Sequence, residues 1–301
     1  MQDPGGAAGG THGPCWTRHP PSEGGGRDAA AGGTRPAAGR PDVWSLLPSS
    51  IGVPRVASGH PRARQAPRRP HHVRVAPTVR NAPPIRLDET TLLAAVDVLA
   101  ARDADLARVV KAYGPPPLWA RPPGFATLVY IILEQQVSLA SARAAYERLR
   151  AASGGSPTPE RFLRFGDAEL LAIGFSRQKA GYVRRLSSDL IEGGVDLDAF
   201  GAMDDAHAHA ALVRLHGVGP WTADIYLLEA LLRPDTWPAG DLALATAAQE
   251  VKGLATRPTP GELAGLGEAW RPWRAVAARI CWHDYLCRRG RSAGAMPGAA
   301  E

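Results

Sequence analysis

Apolar side chains recur every three or four residues along most of the chain after residue 85, and this spacing restricts the fold class. The period matches one face of an α-helix, whereas a half-buried strand requires strict alternation of apolar and polar residues. No convincing alternation and no internal repeat of fixed period occurs. The sequence therefore predicts an all-α domain over residues 85–290, long enough to bury a substantial core.

Prolines, glycines and capping residues divide this pattern into separate helices. One long helix should begin at Asp88 and continue to the proline stop at Pro115–Pro117. Ser138 and Ser176 have the hydroxyl that suits the residue before a helix, so each should cap one. An apolar segment spans residues 125–136, and further helices are expected over residues 139–149, 159–165, 167–173, 177–190, 204–215, 221–232, 242–251, 260–266 and 271–288.

The first 84 residues have a different composition and should form a disordered tail. Residues 1–80 contain 13 Gly, 12 Pro and 11 Arg but only four acidic residues. Such a segment buries too little apolar surface to offset its chain entropy. It is open whether the arginines hold DNA through its phosphates, form a transit peptide or belong to an extension without function. Residues 291–301 should form a second, short disordered tail.

Charge and cysteine content narrow the function classes. The whole chain has a formal charge of +6, but beyond residue 80 there are 24 basic and 25 acidic residues, so the basicity belongs to the tail. Cys15, Cys281 and Cys287 form neither a disulfide framework nor a complete metal site. No apolar run of about 18 residues is present, so no membrane contact is expected. These features predict a cytoplasmic protein.

A glycine turn joins the helices expected over 204–215 and 221–232. It is part of the segment Leu-His-Gly-Val-Gly-Pro-Trp-Thr-Ala over residues 215–223. Gly217 and Gly219 permit a tight turn and leave backbone N–H groups unobstructed. Pro220 suits the first helical position, where its missing N–H costs nothing. A phosphate could bind at this helix start, with Thr222 adding a hydroxyl, although such glycines also serve simply to turn the chain.

An aspartate follows 20 residues after Trp221, in the segment Trp-Pro-Ala-Gly-Asp over residues 237–241. Asp241 precedes an apolar helical run, so it can be an ordinary helix cap. A functional role is compatible with capping, because the helix dipole should lower the pKa of this carboxyl and keep it ionised at neutral pH. An anion held there can stabilise positive charge that develops on a sugar.

These segments together resemble the helix-hairpin-helix (HhH-GPD) DNA glycosylase superfamily. The glycine turn and the Pro-Ala-Gly-Asp segment are similar to the superfamily signature. Ile-Ile-Leu-Glu-Gln-Gln-Val-Ser over residues 131–138, Trp-Arg-Pro-Trp-Arg over 270–274 and the later Trp282 resemble the AlkA-type 3-methyladenine DNA glycosylase II branch. The resemblance spans residues 115–288 and implies a two-lobed helical domain.

The resemblance implies a role for each matching residue. Asp241 would be the catalytic aspartate, and Trp221 and Trp282 would line the pocket for a base flipped out of duplex DNA. An indole face attracts a positively charged base, which suits 3-methyladenine and 7-methylguanine. Gln136 would fill the gap left by the flipped base. Gly217, Gly219 and Thr222 would contact the DNA backbone. Arg177, Lys179, Arg184 and Arg185 would contact phosphates or form a solvated helix face.

Differences from relatives limit the expected chemistry. Strand-cleaving relatives carry a lysine where this chain has Trp221, so hydrolysis by water is expected. Only Cys281 and Cys287 lie near the C-terminus, which predicts that an iron–sulfur cluster is absent. No cofactor should be required. Members of the superfamily bind a monovalent cation through hairpin carbonyls, and the resemblance implies such an ion at the backbone carbonyls of Val213, Leu215 and Val218. Ile225 replaces an aromatic pocket residue and makes the range of substrates uncertain.

The predicted function is therefore a monofunctional DNA glycosylase that removes alkylated bases in base-excision repair. Its partner would be double-stranded DNA with damaged bases, and it would act as a monomer associated with the nucleoid. A glycosylase for uracil or another deaminated base remains an alternative within the same fold. A non-catalytic protein that binds DNA damage is another.

Removing residues 1–80 should leave the melting temperature of the helical domain unchanged. The same deletion should weaken non-specific DNA binding at low salt, because 11 arginines able to contact phosphates are lost. Fluorescence anisotropy with an undamaged duplex over a range of salt concentrations measures both affinity and salt slope. Equal affinity and equal slope for the two proteins would favour an extension without function.

Overall fold

A computed structural model describes residues 84–291, and this span folds into α-helices and short 3₁₀ turns without a strand. The predicted all-α class is confirmed. The predicted tails 1–84 and 291–301 lie outside the described residues, apart from residues 84 and 291 themselves. The helices are α1 (Glu89–Arg102), α2 (Ala104–Tyr113), α3 (Phe125–Glu134), α4 (Leu139–Ser153), α5 (Pro159–Phe162), α6 (Asp167–Ile173), α7 (Arg177–Ile191), α8 (Asp205–Val213), α9 (Pro220–Glu229), α10 (Leu242–Lys252), α11 (Pro260–Gly267) and α12 (Arg274–Arg288).

Side-chain caps set several of the helix starts. The hydroxyls of Ser138 and Ser176 each accept a hydrogen bond from a backbone N–H three residues later, which confirms both predicted caps. The single helix predicted from Asp88 to the proline stop is wrong. Asp103 ends α1 and caps α2, because its carboxylate accepts hydrogen bonds from the first N–H groups of α2.

Helix boundaries next to the site are set by the fold. Helix α3 ends at Glu134, so the apolar segment predicted over residues 125–136 is helical only up to that residue, and Gln135 and Gln136 lie in a turn. The hairpin helices are shorter than predicted, since α8 ends at Val213 and α9 at Glu229. The non-helical segments that face each other across the site are therefore longer than the sequence indicated.

The helices pack in two groups. Helices α1 and α2 pack against α12, and α2 and α12 in turn contact α10; α3 packs against α4, α7 and α9, while α8 packs against α9. The two ends of the helical domain therefore form one lobe, and its middle forms the other, as the two-lobed prediction required. The segment between α9 and α10 returns the chain from one lobe to the other. No described helix is long and apolar enough to cross a membrane.

A buried arginine ties α12 to the segment before α3 and to α9. The guanidinium of Arg279 donates to the carbonyls of Leu118 and Leu228, both at 2.8 Å, and to that of Ala275 at 3.0 Å. Its side chain is fully buried, and burial lowers the pKa of Arg279 to about 10. Three satisfied carbonyls replace the water that this cation loses on folding.

Arg279→Met should lower the free energy of unfolding by about 3 kcal/mol, because it leaves three buried carbonyl groups without their donor. Arg150→Met is a suitable control, since Arg150 forms only a half-exposed pair with Glu147. We expect the control to change stability by less than about 0.5 kcal/mol. Urea unfolding measures both variants, and a loss below about 1 kcal/mol in Arg279→Met would contradict this account.

Candidate active site

A buried carboxylate lies where the chain passes from one lobe to the other. Asp241 is the N-cap of α10, and its Oδ1 accepts a hydrogen bond of 2.6 Å from the backbone N–H of Leu244. The residue is only 3% exposed. The cap expected from sequence is therefore present, and it places the carboxylate below the protein surface.

Two tryptophans from different helices direct their N–H groups at this carboxylate. Nε1 of Trp221, in the first turn of α9, donates to Oδ2 of Asp241 at 2.8 Å. Nε1 of Trp282, in α12, donates to Oδ1 at 3.4 Å. The structure thus brings together three residues that the sequence analysis had selected. The sequence did not indicate that the N–H edges of both indoles would form hydrogen bonds with the carboxylate.

The pKa of Asp241 does not follow the sequence-based expectation. Burial raises it above the ordinary value of 3.8, while the hydrogen bonds from Trp221, Leu244 and Trp282 act in the opposite direction. The prediction that the helix start would lower this pKa is wrong, because loss of water outweighs the dipole and the hydrogen bonds. Because its pKa is raised in the folded protein, ionisation of Asp241 lowers the free energy of unfolding as the pH rises. The neighbouring hydrogen-bond donors make this loss smaller.

The three residues line a small cavity. Its volume is about 40 Å³, and Ile225 and Leu286 contribute to its walls. A water needs roughly 10–15 Å³ by this kind of measure, whereas pockets for small-molecule ligands have volumes of about 300–1,000 Å³. The cavity can therefore hold water as it stands, but a nucleic-acid base can enter only after neighbouring side chains move.

A buried ion-pair cluster forms another wall of the cavity. Arg121 pairs with Glu134 through two contacts of 2.8 and 3.2 Å, and its Nε lies 2.7 Å from Oε2 of Glu229. Burial raises the pKa of Glu229, and the guanidinium of Arg121 lowers it. The sequence analysis gave these residues no role. A glutamate is the last residue of both apolar helices, α3 and α9, and this pattern could have indicated a pair of buried acids.

The glycine turn between α8 and α9 packs tightly against α7. Gly217 has a φ of 84°, in the left-handed region, and a Cβ on it would overlap the ring of Tyr182. The same tyrosine makes an edge contact with His216, with ring centroids 5.1 Å apart. Gly219 caps α9 without a side chain. Pro220 has no N–H and that of Ala223 donates to the carbonyl of Gly219 at 3.0 Å, so few backbone donors remain for an anion at this helix start.

A groove of about 710 Å³ runs along this turn, and Gln136 lines it together with the glycines and Trp221. Gln136 is exposed and has a φ of 57°, which non-glycine residues seldom adopt. Thr222 is 1% exposed, and its hydroxyl accepts a hydrogen bond of 3.0 Å from Gln135. Because Thr222 is buried, it supports the turn through this hydrogen bond and is not placed to contact a phosphate directly, as the sequence analysis had expected.

The basic residues of α7 are largely engaged within the protein. Lys179 Nζ donates to the carbonyls of Leu133 and Gln135, and Arg184 pairs with Asp167. Arg185 pairs with Asp189 one turn further along the helix. Neither interpretation from sequence, a phosphate-binding row or a solvated face, describes Lys179, because tertiary contacts with α3 were not visible there.

Several known proteins are similar to this chain in sequence. The sequence model of the family described as "HhH-GPD superfamily base excision DNA repair protein" matches residues 129–272. A DNA-3-methyladenine glycosylase of Bacillus subtilis is 25% identical over 169 residues, which cover 52% of this chain and 56% of that protein. The probable bifunctional transcriptional activator/DNA repair enzyme AlkA of Mycobacterium tuberculosis is 33% identical over 166 residues, 51% of this chain and 32% of that protein. The chain thus spans about half or less of these curated relatives.

Solved structures match over more of their length. A DNA-3-methyladenine glycosidase from Bacillus halodurans aligns with a TM-score of 0.55 and 27% identity, over 67% of this chain and 93% of that one. A Schizosaccharomyces pombe 3-methyladenine DNA glycosylase in complex with abasic DNA aligns with a TM-score of 0.60 and 24% identity, over 65% and 97%. At that identity the second match shows the fold alone.

Trp221→Phe should raise the pKa of Asp241 further, because it removes the N–H that donates to Oδ2 and keeps an aromatic ring. Trp282→Phe serves as the matched comparison and should have a smaller effect, since its hydrogen bond is longer at 3.4 Å. NMR titration of the aspartate side-chain carboxyl carbons measures both shifts. An Asp241 midpoint that stays at its wild-type value in Trp221→Phe would show that this hydrogen bond does not stabilise the ionised form.

Proposed function

Because this chain belongs to the HhH-GPD superfamily of base excision DNA repair proteins, we propose that it is a monofunctional DNA glycosylase that excises alkylated bases. The observation that carries the proposal is Asp241, buried and held by two indole N–H groups beside the hairpin groove. The preferred substrates would be 3-methyladenine and 7-methylguanine in duplex DNA. The B. subtilis and B. halodurans relatives bear names with 3-methyladenine as substrate, which supports this choice.

The groove and the cavity suit the two stages of base flipping. Backbone N–H groups of the glycine turn before α9 would bind a DNA phosphate, and Gln136 would enter the stack beside them. Trp221 lines both the groove and the cavity, so a nucleotide rotating out of the groove would pass along its ring. The small volume of the cavity then requires the side chains around it to move as the base enters.

The chemistry follows from a negative charge held close to the sugar. An alkylated base that already carries positive charge leaves readily, so little acid catalysis is needed. Asp241 would stabilise the positive charge that develops on the sugar and orient the attacking water. Trp221 and Trp282 would keep the carboxylate in place during this step. Because Trp221 offers no amine that could form an imine with the sugar, the products are a free base and an abasic site in an unbroken strand.

Charges around the cavity support a cationic base. Three carboxylates (Glu134, Glu229 and Asp241) and two guanidinium groups (Arg121 and Arg291) line it. Burial raises the pKa of Glu229 to about 7 and also raises that of Asp241, so a positive charge in the cavity would favour their ionised forms. A positively charged base would be attracted by these carboxylates and by the indole faces, each cation–π contact contributing roughly 0.5–2 kcal/mol. Neutral bases such as uracil gain neither effect.

We also propose a monovalent cation at the end of α8. Val213, Leu215 and Val218 line the groove, and the last carbonyls of a helix lack partners within that helix. The carbonyl of Leu215 accepts one hydrogen bond, from Val218 N at 3.1 Å, which leaves its second lone pair for an ion. The cation would supply positive charge next to the bound phosphate. No cofactor is needed for hydrolysis in this proposal, and the enzyme would act as a monomer on nucleoid DNA.

Asp241→Asn should slow base release by about 10²–10³-fold, because it removes the charge that stabilises the sugar. Binding to a duplex with an abasic-site analogue should remain within about tenfold of wild type. Single-turnover assays with duplexes bearing 3-methyladenine, 7-methylguanine, hypoxanthine or uracil measure the rate and the substrate preference together.

Asp224→Asn is the matched control for that experiment. Asp224 lies on α9 beside His209 at 3.4 Å, and it does not line the cavity around Asp241. The control should release bases at nearly the wild-type rate. An Asp241→Asn protein within threefold of wild type would overturn the assignment, and release of uracil alone would replace the proposed substrate class.

A further inference from the structure

The turn after α3 holds its exposed glutamine in an unusual conformation. Gln136 has a φ of 57°, which side-chain sterics disfavour unless surrounding contacts maintain it. It is exposed in the groove beside the glycine turn. A side chain that must enter a DNA stack needs a fixed starting position, so the contacts that hold this turn bear directly on the reaction.

Lys179 is one of these contacts. From α7 its Nζ donates to the carbonyl of Leu133 at 2.7 Å and to that of Gln135 at 2.8 Å. A cation at the C-terminal end of a helix is favoured by the helix dipole and satisfies carbonyls that have no partner within the helix. Burial lowers the pKa of Lys179 to about 8, as expected for an ammonium group largely removed from solvent.

The side chain of Gln135 continues the connection to the hairpin. Its Nε2 donates to the carbonyl of Gly217 at 2.9 Å and to the hydroxyl of Thr222 at 3.0 Å. The backbone of Gln135 is thus held by Lys179, and its side chain holds the phosphate-binding turn. Gln136 is the next residue, so its position relative to that turn depends on both sets of contacts.

Helix α7 contacts the hairpin itself about one turn after Lys179. Tyr182 packs against Gly217 and makes an edge contact with His216. Three residues apart on a helix lie on the same face, so a single face of α7 supports both the α3–α4 turn and the glycine turn. This face therefore sets the distance between the residue that enters DNA and the site that binds its phosphate.

We propose that Lys179 is a positioning residue for base displacement. It holds the α3–α4 turn so that Gln136 enters the DNA stack in register with the phosphate bound at the hairpin. This inference rests on the proposed function, since it assigns Lys179 a part in base flipping. This role differs from a phosphate contact, because both hydrogen bonds that Nζ donates are to backbone carbonyls of the protein.

The test compares Lys179→Met with Arg184→Met in the full-length chain. Arg184 lies on the same helix and likewise donates to a backbone carbonyl, that of Phe165, and pairs with Asp167. It contacts neither the α3–α4 turn nor the hairpin in any of these bonds. A duplex in which 2-aminopurine is the base to be displaced reports its unstacking by fluorescence without requiring catalysis, and thermal melting records stability in parallel.

We expect Lys179→Met to slow displacement by about 10- to 100-fold, because small misplacements of a reacting group have effects of this size. Its affinity for undamaged duplex should stay within about twofold, and Lys179→Arg should recover part of the rate. Arg184→Met should retain the wild-type displacement rate even if its melting temperature falls as far.

Three results would overturn the proposal. Equal slowing in both Met variants would mean that Lys179 contributes only stability. Weaker binding of Lys179→Met to undamaged duplex, with a salt slope lower by about one charge and unchanged displacement, would indicate a phosphate contact instead. Unchanged displacement and affinity would leave Lys179 without a positioning role. A wild-type protein that displaces bases but releases none would instead contradict the proposed glycosylase function, leaving the role of Lys179 to be decided by displacement alone.

Discussion

The charge of Asp241 is the constraint around which the two lobes meet. A carboxylate removed from water is unstable unless donors surround it, and here the donors come from three places: the α10 backbone at Leu244, Trp221 of α9 and Trp282 of α12. These helices belong to different lobes, so the carboxylate can be satisfied only when the lobes are correctly joined. Folding and the assembly of the site are therefore the same event.

Other buried charges near the cavity follow the same principle with different partners. Arg121 pairs with two glutamates, whereas Arg279 donates to three backbone carbonyls. Groups paired in this way make a region rigid, because moving one member leaves another without a partner. The cavity beside Asp241 is correspondingly small, and in the proposed reaction the binding of a base would supply the free energy to open it.

The surface proposed to bind DNA is supported by contacts with residues that lie under it. The glycine turn and the α3–α4 turn expose the groups suited to DNA, but neither is held by its own local hydrogen bonds alone. Tyr182 packs under Gly217, and Gln135 bonds to the same turn from the side. Exposed residues can then be short or polar, since α7 and α3 provide the rigidity that a loop by itself lacks.

The sequence by itself determined the all-helical class, several helix starts and the selection of Asp241, because periodicity, caps and glycine turns are local patterns. It could not separate α1 from α2, since Asp103 acts as a cap only through its conformation in the fold. Tertiary structure also decided the sign of the Asp241 pKa shift, the partners of Lys179 and the burial of Thr222. Each depends on how much water is excluded by residues distant in the chain, a quantity that no local pattern contains.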